Sequence, residues 1–337
     1  MSAPRRATLA DVAARSGVSL KTASRALNGE YGVAAGTAAR VQEAARALGF
    51  RPNHLARSLA SSRTSSAVGL VISNVSDPFI AAVAGAVEAV LAPRDLQLVT
   101  TSHGDDADRQ RALVQALVER RMDALLLIPA PGDASYLNRE VAHGLVVVSL
   151  DRPLEGTSVD TVTIDNEAGA RATVGDLVAA GHRRVAALSN DGRLWTMKQR
   201  HAGYLRALAD AGIAPDPGLM ALDCHDLHAA EAAVTAMLRL PDPPTAVFAG
   251  QNLAGRGALR AMLATGRRVE LVVFDELDPD LLVIQPQVVV ESDPVRLGTV
   301  AAQMTLERLD GLAGAARDVV LPPLFRHPGR RAAEVVA

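Results

Sequence analysis

Lys21 and Arg25 lie four residues apart in the stretch Leu20–Leu27, so on a helix the two cations share one face. Side-chain donors spaced this way suit phosphate oxygens and the base edges that line the major groove of a duplex. The surrounding segment carries the same sign of charge. Residues 1–63 hold nine arginines and one lysine against Asp11, Glu30 and Glu43, a net +7, which leaves −9 for the remainder of a chain whose total is −2. A basic module on an acidic body points to a polyanionic partner, because neutralising phosphates releases their condensed counterions.

Other groupings carry less chemistry. Cys224-His225-Asp-Leu-His228 gathers side chains of types that ligate metals. Structural zinc needs four and no second cluster is near in sequence, so a capped loop is expected and no metal. Cys224 reads as a small buried hydrophobe, and as the single cysteine it rules out an internal disulfide and suits a reducing compartment. Asp105, Asp106 and Asp108 read as caps for a helix beginning there. Without a P-loop, a strand-linked GxGxxG, a nucleophile elbow or an HExxH, neither an enzyme nor a cofactor is expected.

The cations of the first segment need a scaffold. Thr8-Leu-Ala-Asp11 is a capping-box-like helix start, and Gly17 suits the turn that ends it. Ser19 caps a second helix over Leu20–Leu27, stopped by Asn28-Gly29, and a third runs from Ala35 to Leu48 with Val41, Ala45 and Leu48 at helical spacing. Two short helices joined by a glycine-containing turn form a helix-turn-helix, with Ala23 and Leu27 turned inward.

With 337 residues, the chain exceeds what one core serves. Ala67–Ile72, Gln97–Thr101, Ala124–Ile128, Val146–Leu150, Val185–Ser189, Ala246–Ala249 and Leu271–Phe274 are apolar strand candidates that alternate with amphipathic stretches such as Phe79–Leu91. Alternation of this kind predicts parallel α/β sheets with a ligand beyond the strand carboxyl ends. No leader-like start and no window near the roughly 18 apolar residues of a membrane span occurs, so a cytoplasmic protein without a membrane partner is expected.

Thr8 to Asn28, followed by Leu48-Gly-Phe-Arg-Pro-Asn-His-Leu-Ala-Arg-Ser-Leu59, closely resembles the DNA-binding headpiece of the lactose and galactose repressor family. Ser76-Asp-Pro-Phe79, Leu150-Asp-Arg-Pro153, Ile164-Asp-Asn-Glu-Ala-Gly169, Gly181-His-Arg-Arg-Val185, Arg200-His-Ala-Gly-Tyr204, Pro244-Thr-Ala-Val-Phe248 and Phe274-Asp275 are similar to later signatures of the same family, in order. The resemblance implies an all-α headpiece (residues 1–52), a hinge helix and linker (53–66) and an effector-binding, dimerising body (67–337). That body would consist of two doubly wound parallel-sheet subdomains, like those of periplasmic binding proteins, joined by three crossovers.

It also implies roles. Leu20, Lys21 and Arg25 would read base edges, with Thr22, Ser24 and Asn28 on or near phosphates; Thr8, Ser19, Asn53 and Arg57 complete the implied DNA contacts, and Leu59 would wedge into the minor groove. Effector candidates are Asp77, Phe79, Asp151, Thr196, Arg200, Gln251, Asn252 and Asp275. Carboxylates and amides pair with vicinal hydroxyls and a guanidinium adds a rigid fork.

Four positions depart from the family pattern: Cys224 replaces an aromatic platform, Gln251-Asn252 replaces Asn-Asp, Val273 replaces a glycine, and Val289-Val290-Glu291 replaces Thr-Thr-Val. On the expectation that these cluster round the cleft, they argue against an ordinary hexose, and Trp195, the only tryptophan, would supply a substitute stacking surface. The implied protein is a repressor gated by a sugar-like effector, a homodimer on a roughly palindromic operator. A stand-alone solute-binding protein would need a leader and no helix-turn-helix.

Overall fold

The computed structural model describes residues 7–27, 31–50, 66–275 and 288–326. Contacts divide the chain into two units, Met1–Ser65 and Ser66–Ala337.

The first unit holds α1 (Leu9–Ser16), α2 (Leu20–Leu27) and α3 (Ala35–Ala47). The Thr8 hydroxyl accepts the Asp11 N–H at 3.3 Å while the Asp11 carboxylate accepts the Thr8 N–H at 2.8 Å, so two end donors of α1 are satisfied reciprocally. Gly17, at φ 67°, ends the helix in the left-handed region. Val12, Ala13, Ala23, Ala26, Val41, Ala44 and Ala45 close a small core, which Leu27 and Leu48 flank.

In the second unit, strands β1 (Ala67–Ile72), β2 (Gln97–Ser102), β3 (Ala124–Leu127), β4 (Val146–Leu150), β5 (Asp160–Ile164) and β11 (Asp318–Leu321) form a parallel sheet in the order β11-β5-β4-β3-β1-β2. A second sheet, β12-β10-β9-β8-β6-β7, comprises β6 (Val185–Leu188), β7 (Met220–Ala221), β8 (Ala246–Ala249), β9 (Glu270–Phe274), β10 (Val288–Glu291) and an antiparallel edge strand, β12 (Leu324–Arg326). Helices α4 (Pro78–Leu91), α5 (Ala107–Glu119), α6 (Asn138–Ala142), α7 (Asn166–Ala179), α8 (Trp195–Asp210), α9 (Leu227–Leu238), α10 (Asn252–Thr265) and α11 (Pro294–Leu309) cover the sheets. Strands such as β1, β3, β6 and β8 are buried throughout, as sheets covered on both faces require.

Among the described residues the chain passes between the sheets three times: from β5 into α7, from β10 into α11, and from β11 into β12. Each of the first two passages ends on an aspartate that caps the next helix, Asp165 accepting from Ala168 N–H and Asp293 from Arg296 N–H, both at 2.9 Å. Asp160 fixes the outer part of the first sheet. It is 3% exposed, and it accepts from Nε and Nη2 of Arg308 at 3.0 and 2.6 Å and of Arg317 at 3.1 and 2.6 Å. Burial alone would raise its pKa, but these charged donors outweigh burial and hold it at about 2.

Helix α8 crosses α7 at Gly203, where an added Cβ would stand 2.3 Å from the Glu167 carbonyl oxygen. Gly203→Ala should therefore force the helices apart and cost about 2 kcal/mol, the scale of overpacking a close contact. Urea denaturation measures this, and an unchanged midpoint would show that the pair separates freely.

Candidate functional site

On the headpiece, α2 presents an outer face on which Leu20 is 54% exposed and Lys21 is exposed. Ser19 caps the helix by accepting the Thr22 N–H at 3.1 Å, and its hydroxyl lies 2.8 Å from that of Thr22. Thr8 serves α1 in the same way, its hydroxyl donating to Asp11 at 2.7 Å. Ser24 is half-buried. The Arg25 guanidinium is turned toward the end of the helix and donates to the Tyr31 carbonyl at 2.5 Å. Asn28, Asn53, Arg57 and Leu59, and with them the expected hinge helix, lie outside the described residues.

The body holds a cleft of about 330 Å³ at the carboxyl ends of both sheets. From the first sheet come Asp77 after β1, Asp105 after β2, and Asp151 and Arg152 after β4; from the second come Asn190 after β6, Thr196 and Arg200 on α8, Gln251 and Asn252 at the start of α10, and Asp275 after β9. Phe79 is half-buried and lines the same cleft. The structure thus brings eight of the ten expected effector residues together.

Trp195 and Cys224 are not among the residues lining this cleft, and both expectations are corrected. Trp195 is the first residue of α8, and the helical turn that aims Thr196 and Arg200 inward sets it roughly 100° from Thr196 and further from Arg200. Cys224 is 4% exposed and packs with Leu219, Ala230 and Val234. Burial raises its thiol pKa, and the thiol donates to the Ala221 carbonyl at 3.6 Å. Other departures from the family pattern are likewise structural. Val273, Val289 and Val290 are core residues, and Glu291 pairs with Arg326 across β10 and β12. Only Gln251-Asn252 reaches the cleft, so the clustering expected from the sequence is not found and the argument it gave against a hexose lapses.

Arg200 is the hub of the second subdomain's wall. Its Nε donates to Asn166 at 2.7 Å, its Nη1 donates to the Gly250 carbonyl at 2.6 Å and to Asp275 at 3.2 Å, and its guanidinium stands 4.1 Å above the Phe274 ring. Across the cleft, Arg152 donates to Asp105 at 2.8 Å and lies 3.3 Å from Asp151. Sequence reading misses Asp105 as a cleft residue because a cap explains it; the cap of α5 is Asp106, which accepts from Asp108 and Arg109 N–H. Asp105, Asp151 and Asp275 hold left-handed backbones at φ 59°, 64° and 66°. Such conformations cost about 1 kcal/mol or more outside glycine and gather at functional sites.

Burial pushes the pKa of Asp151 up, and that of Asp77 likewise, with the Asp275 charge adding to both. Among the described residues, buried polar atoms without a hydrogen-bond partner include Asn190 Oδ1, Gln251 Nε2 and Asp275 Oδ1, all on cleft residues. Orphaned polar atoms cost about 1 to 3 kcal/mol each, and a polar ligand would satisfy them. No group of three or more His, Cys, Asp and Glu side chains is placed to hold a metal, and no helix is long and apolar enough to cross a membrane, among the described residues.

A ligand cleft between two parallel-sheet subdomains, carried on a chain with a basic helix-turn-helix unit, defines a ligand-responsive DNA-binding regulator. The family model described as bacterial regulatory proteins, lacI family, matches residues 8–53, and that of periplasmic binding proteins and the sugar-binding domain of the LacI family matches residues 65–322. The chain belongs to the LacI family and is a transcriptional regulator. It is 31% identical to the HTH-type transcriptional regulator RafR of Escherichia coli over 96% of this chain and 97% of that relative. A structure of the transcriptional regulator CelR–cellobiose complex, 29% identical, superposes with a TM-score of 0.69 over 95% of this chain and 98% of that one. A lac repressor dimer bound to operator and the anti-inducer ONPF, 24% identical, has the same fold, with a TM-score of 0.81 over 95% of this chain and 98% of that one.

Proposed function

We propose that the chain is a repressor of carbohydrate uptake or catabolism genes, released from or held on its operator by an uncharged sugar-like effector. The reading is carried by the cleft, in which carboxylates, amides and a guanidinium from both subdomains converge. Arg152 and Arg200 are already paired with protein carboxylates, while Arg256 is exposed and Asp77, which feels the Arg152 charge, forms no salt bridge among the described residues. That charge balance favours a neutral polyol over a sugar phosphate or uronate. The relative whose structure contains cellobiose points the same way.

In this reading Asp77, Phe79 and Asp151 grip the effector from one side, and Thr196, Arg200, Gln251, Asn252 and Asp275 from the other. A ligand that bridges both walls binds one arrangement of the subdomains better than another and shifts their equilibrium. Residues 1–52 form the headpiece, in which Leu20, Lys21 and Arg25 read base edges, 53–66 the hinge, and 67–337 the body. The family membership supports a homodimer acting on a pseudo-palindromic operator in the cytoplasm.

Thermal-shift screening against neutral mono- and disaccharides, sugar phosphates and uronates tests this, since a ligand at 100 times its Kd adds about 2.7 kcal/mol of stability. The expected result is a neutral saccharide that both stabilises the protein and changes its operator affinity. Stabilisation by anionic sugars alone would overturn the assigned class, and ligands that leave operator affinity untouched would remove the gating.

A further inference from the structure

Aromatic residues make up 3% of this chain, and two of its three tyrosines are built into the body. Tyr204 is 1% exposed and its hydroxyl donates to the Val185 carbonyl at 2.8 Å. The Tyr136 hydroxyl accepts from Gln110 at 3.1 Å beneath the Arg111 guanidinium. Tyr31 is different: it is 99% exposed, and its ring has no recorded contact among the described residues. An aromatic so placed contributes nothing to the headpiece core.

Its position is nevertheless fixed. The Tyr31 carbonyl accepts the Arg25 guanidinium at 2.5 Å, which ties the segment after α2 to the side of that helix bearing Arg25. Gly32 permits the tie, since its φ is 93° and an added Cβ would stand 3.0 Å from the Arg25 Nη2. Leu20, 54% exposed, stands at the start of the same helix, so apolar side chains are displayed at its start and just past its end, with Lys21 exposed between them. The first 63 residues carry a net +7. An apolar ring with a hydroxyl tip on a positively charged surface matches a sugar–phosphate strand, whose deoxyribose faces are apolar and whose phosphates accept hydrogen bonds.

We propose that Tyr31 is a DNA-contacting residue of the headpiece: its ring packs on the backbone of the duplex, its hydroxyl donates to a phosphate, and its carbonyl steers Arg25. The proposal rests on the reading that this headpiece binds an operator. Because the phenol is neutral, its contact displaces no counterion, so it adds affinity without adding salt dependence.

The test uses the full-length chain and a duplex that the wild-type protein selects from a random DNA pool. Tyr31→Ala should bind that duplex about tenfold more weakly and Tyr31→Phe about threefold more weakly, on the scale of a lost packing contact and a lost hydrogen bond. The slope of affinity against salt should stay as in the wild type, whereas Lys21→Ala should reduce it by about one. Thermal stability of the Tyr31 variants should be unchanged, since the side chain is 99% exposed and packs on none of the described residues. Equal affinity of Tyr31→Ala and wild type at fixed salt overturns the proposal. A wild-type chain that enriches no sequence removes the operator reading itself.

Discussion

Arg200→Ala should lose about 3 kcal/mol of stability and, with it, all response to the effector, the scale of breaking a sheltered ion pair by removing one partner. Four groups converge on this guanidinium: Asn166 at the head of α7, the Gly250 carbonyl after β8, Asp275 after β9 and the Phe274 ring. Without it, the Asp275 carboxylate, which already has one oxygen unpartnered, keeps no cation in a side chain that is 19% exposed. Arg200→Lys should rescue little, because one ammonium cannot replace a planar fork serving separate acceptors. Chemical denaturation reads the stability and a saccharide thermal shift reads the response. A variant as stable and as responsive as wild type would remove Arg200 from the site. Operator binding tests the separation of roles, since the headpiece is a distinct unit and should retain its DNA affinity when the effector is absent.

Asp160→Ala should be as damaging, at about 3 to 5 kcal/mol, although the residue lies far from any ligand role. Two guanidiniums would lose their shared carboxylate, and the Arg317 N–H would lose the acceptor that holds it at 3.0 Å before β11. The same group makes a pH prediction. Its folded pKa of about 2 lies below the ordinary 3.8, so its contribution is complete above that ordinary value and disappears as pH falls toward 2. The loss over that window is about 2 kcal/mol, and urea midpoints across acidic pH for wild type and Asp160→Asn should converge. Arg94→Ala is the matched control: its partner Asp310 is 55% exposed, and breaking such a pair costs under about 1 kcal/mol. Equal losses in the two variants would show that burial is not what gives the Asp160 cluster its weight.

Local signals made the headpiece legible. The Thr8–Asp11 box, Gly17 and the apolar spacing of Val41 and Ala45 each act within one turn, and the helices stand where those signals place them. Strands buried on both faces were legible as apolar runs. β5 was not, because Asp160-Thr-Val-Thr-Ile alternates, its polar members satisfied by distant arginines and by backbone. β11 and β12 were missed for a related reason: edge strands expose side chains and so lack a continuous apolar pattern.

In the cleft, residues at strand ends could be named, but which way each points could not. Arg152 sits in a recognisable motif, yet its partner Asp105 is 47 residues away and only the sheet order brings them together. Cys224 and Val273 fall near strand ends in sequence but turn into the core, a distinction that depends on packing rather than on position along the chain.

The three passages between the sheets also bear on synthesis at the ribosome. The first sheet is seeded by residues 67–164, yet its covering includes Leu297, Ala301, Ala302 and Met304 of α11, and its edge is closed by Leu321 of β11. At 5 to 20 residues per second, about 10 to 30 s separate the emergence of β5 from that of β11. For that interval the part of this apolar face that α4 does not cover stays exposed on the nascent chain while the second subdomain is being made. The headpiece, complete within the first 50 residues, is under no such delay. Truncated chains ending before α11 should therefore engage chaperones rather than accumulate as a free half-clamshell, so the two halves of the clamshell are partners in folding before they are partners in binding.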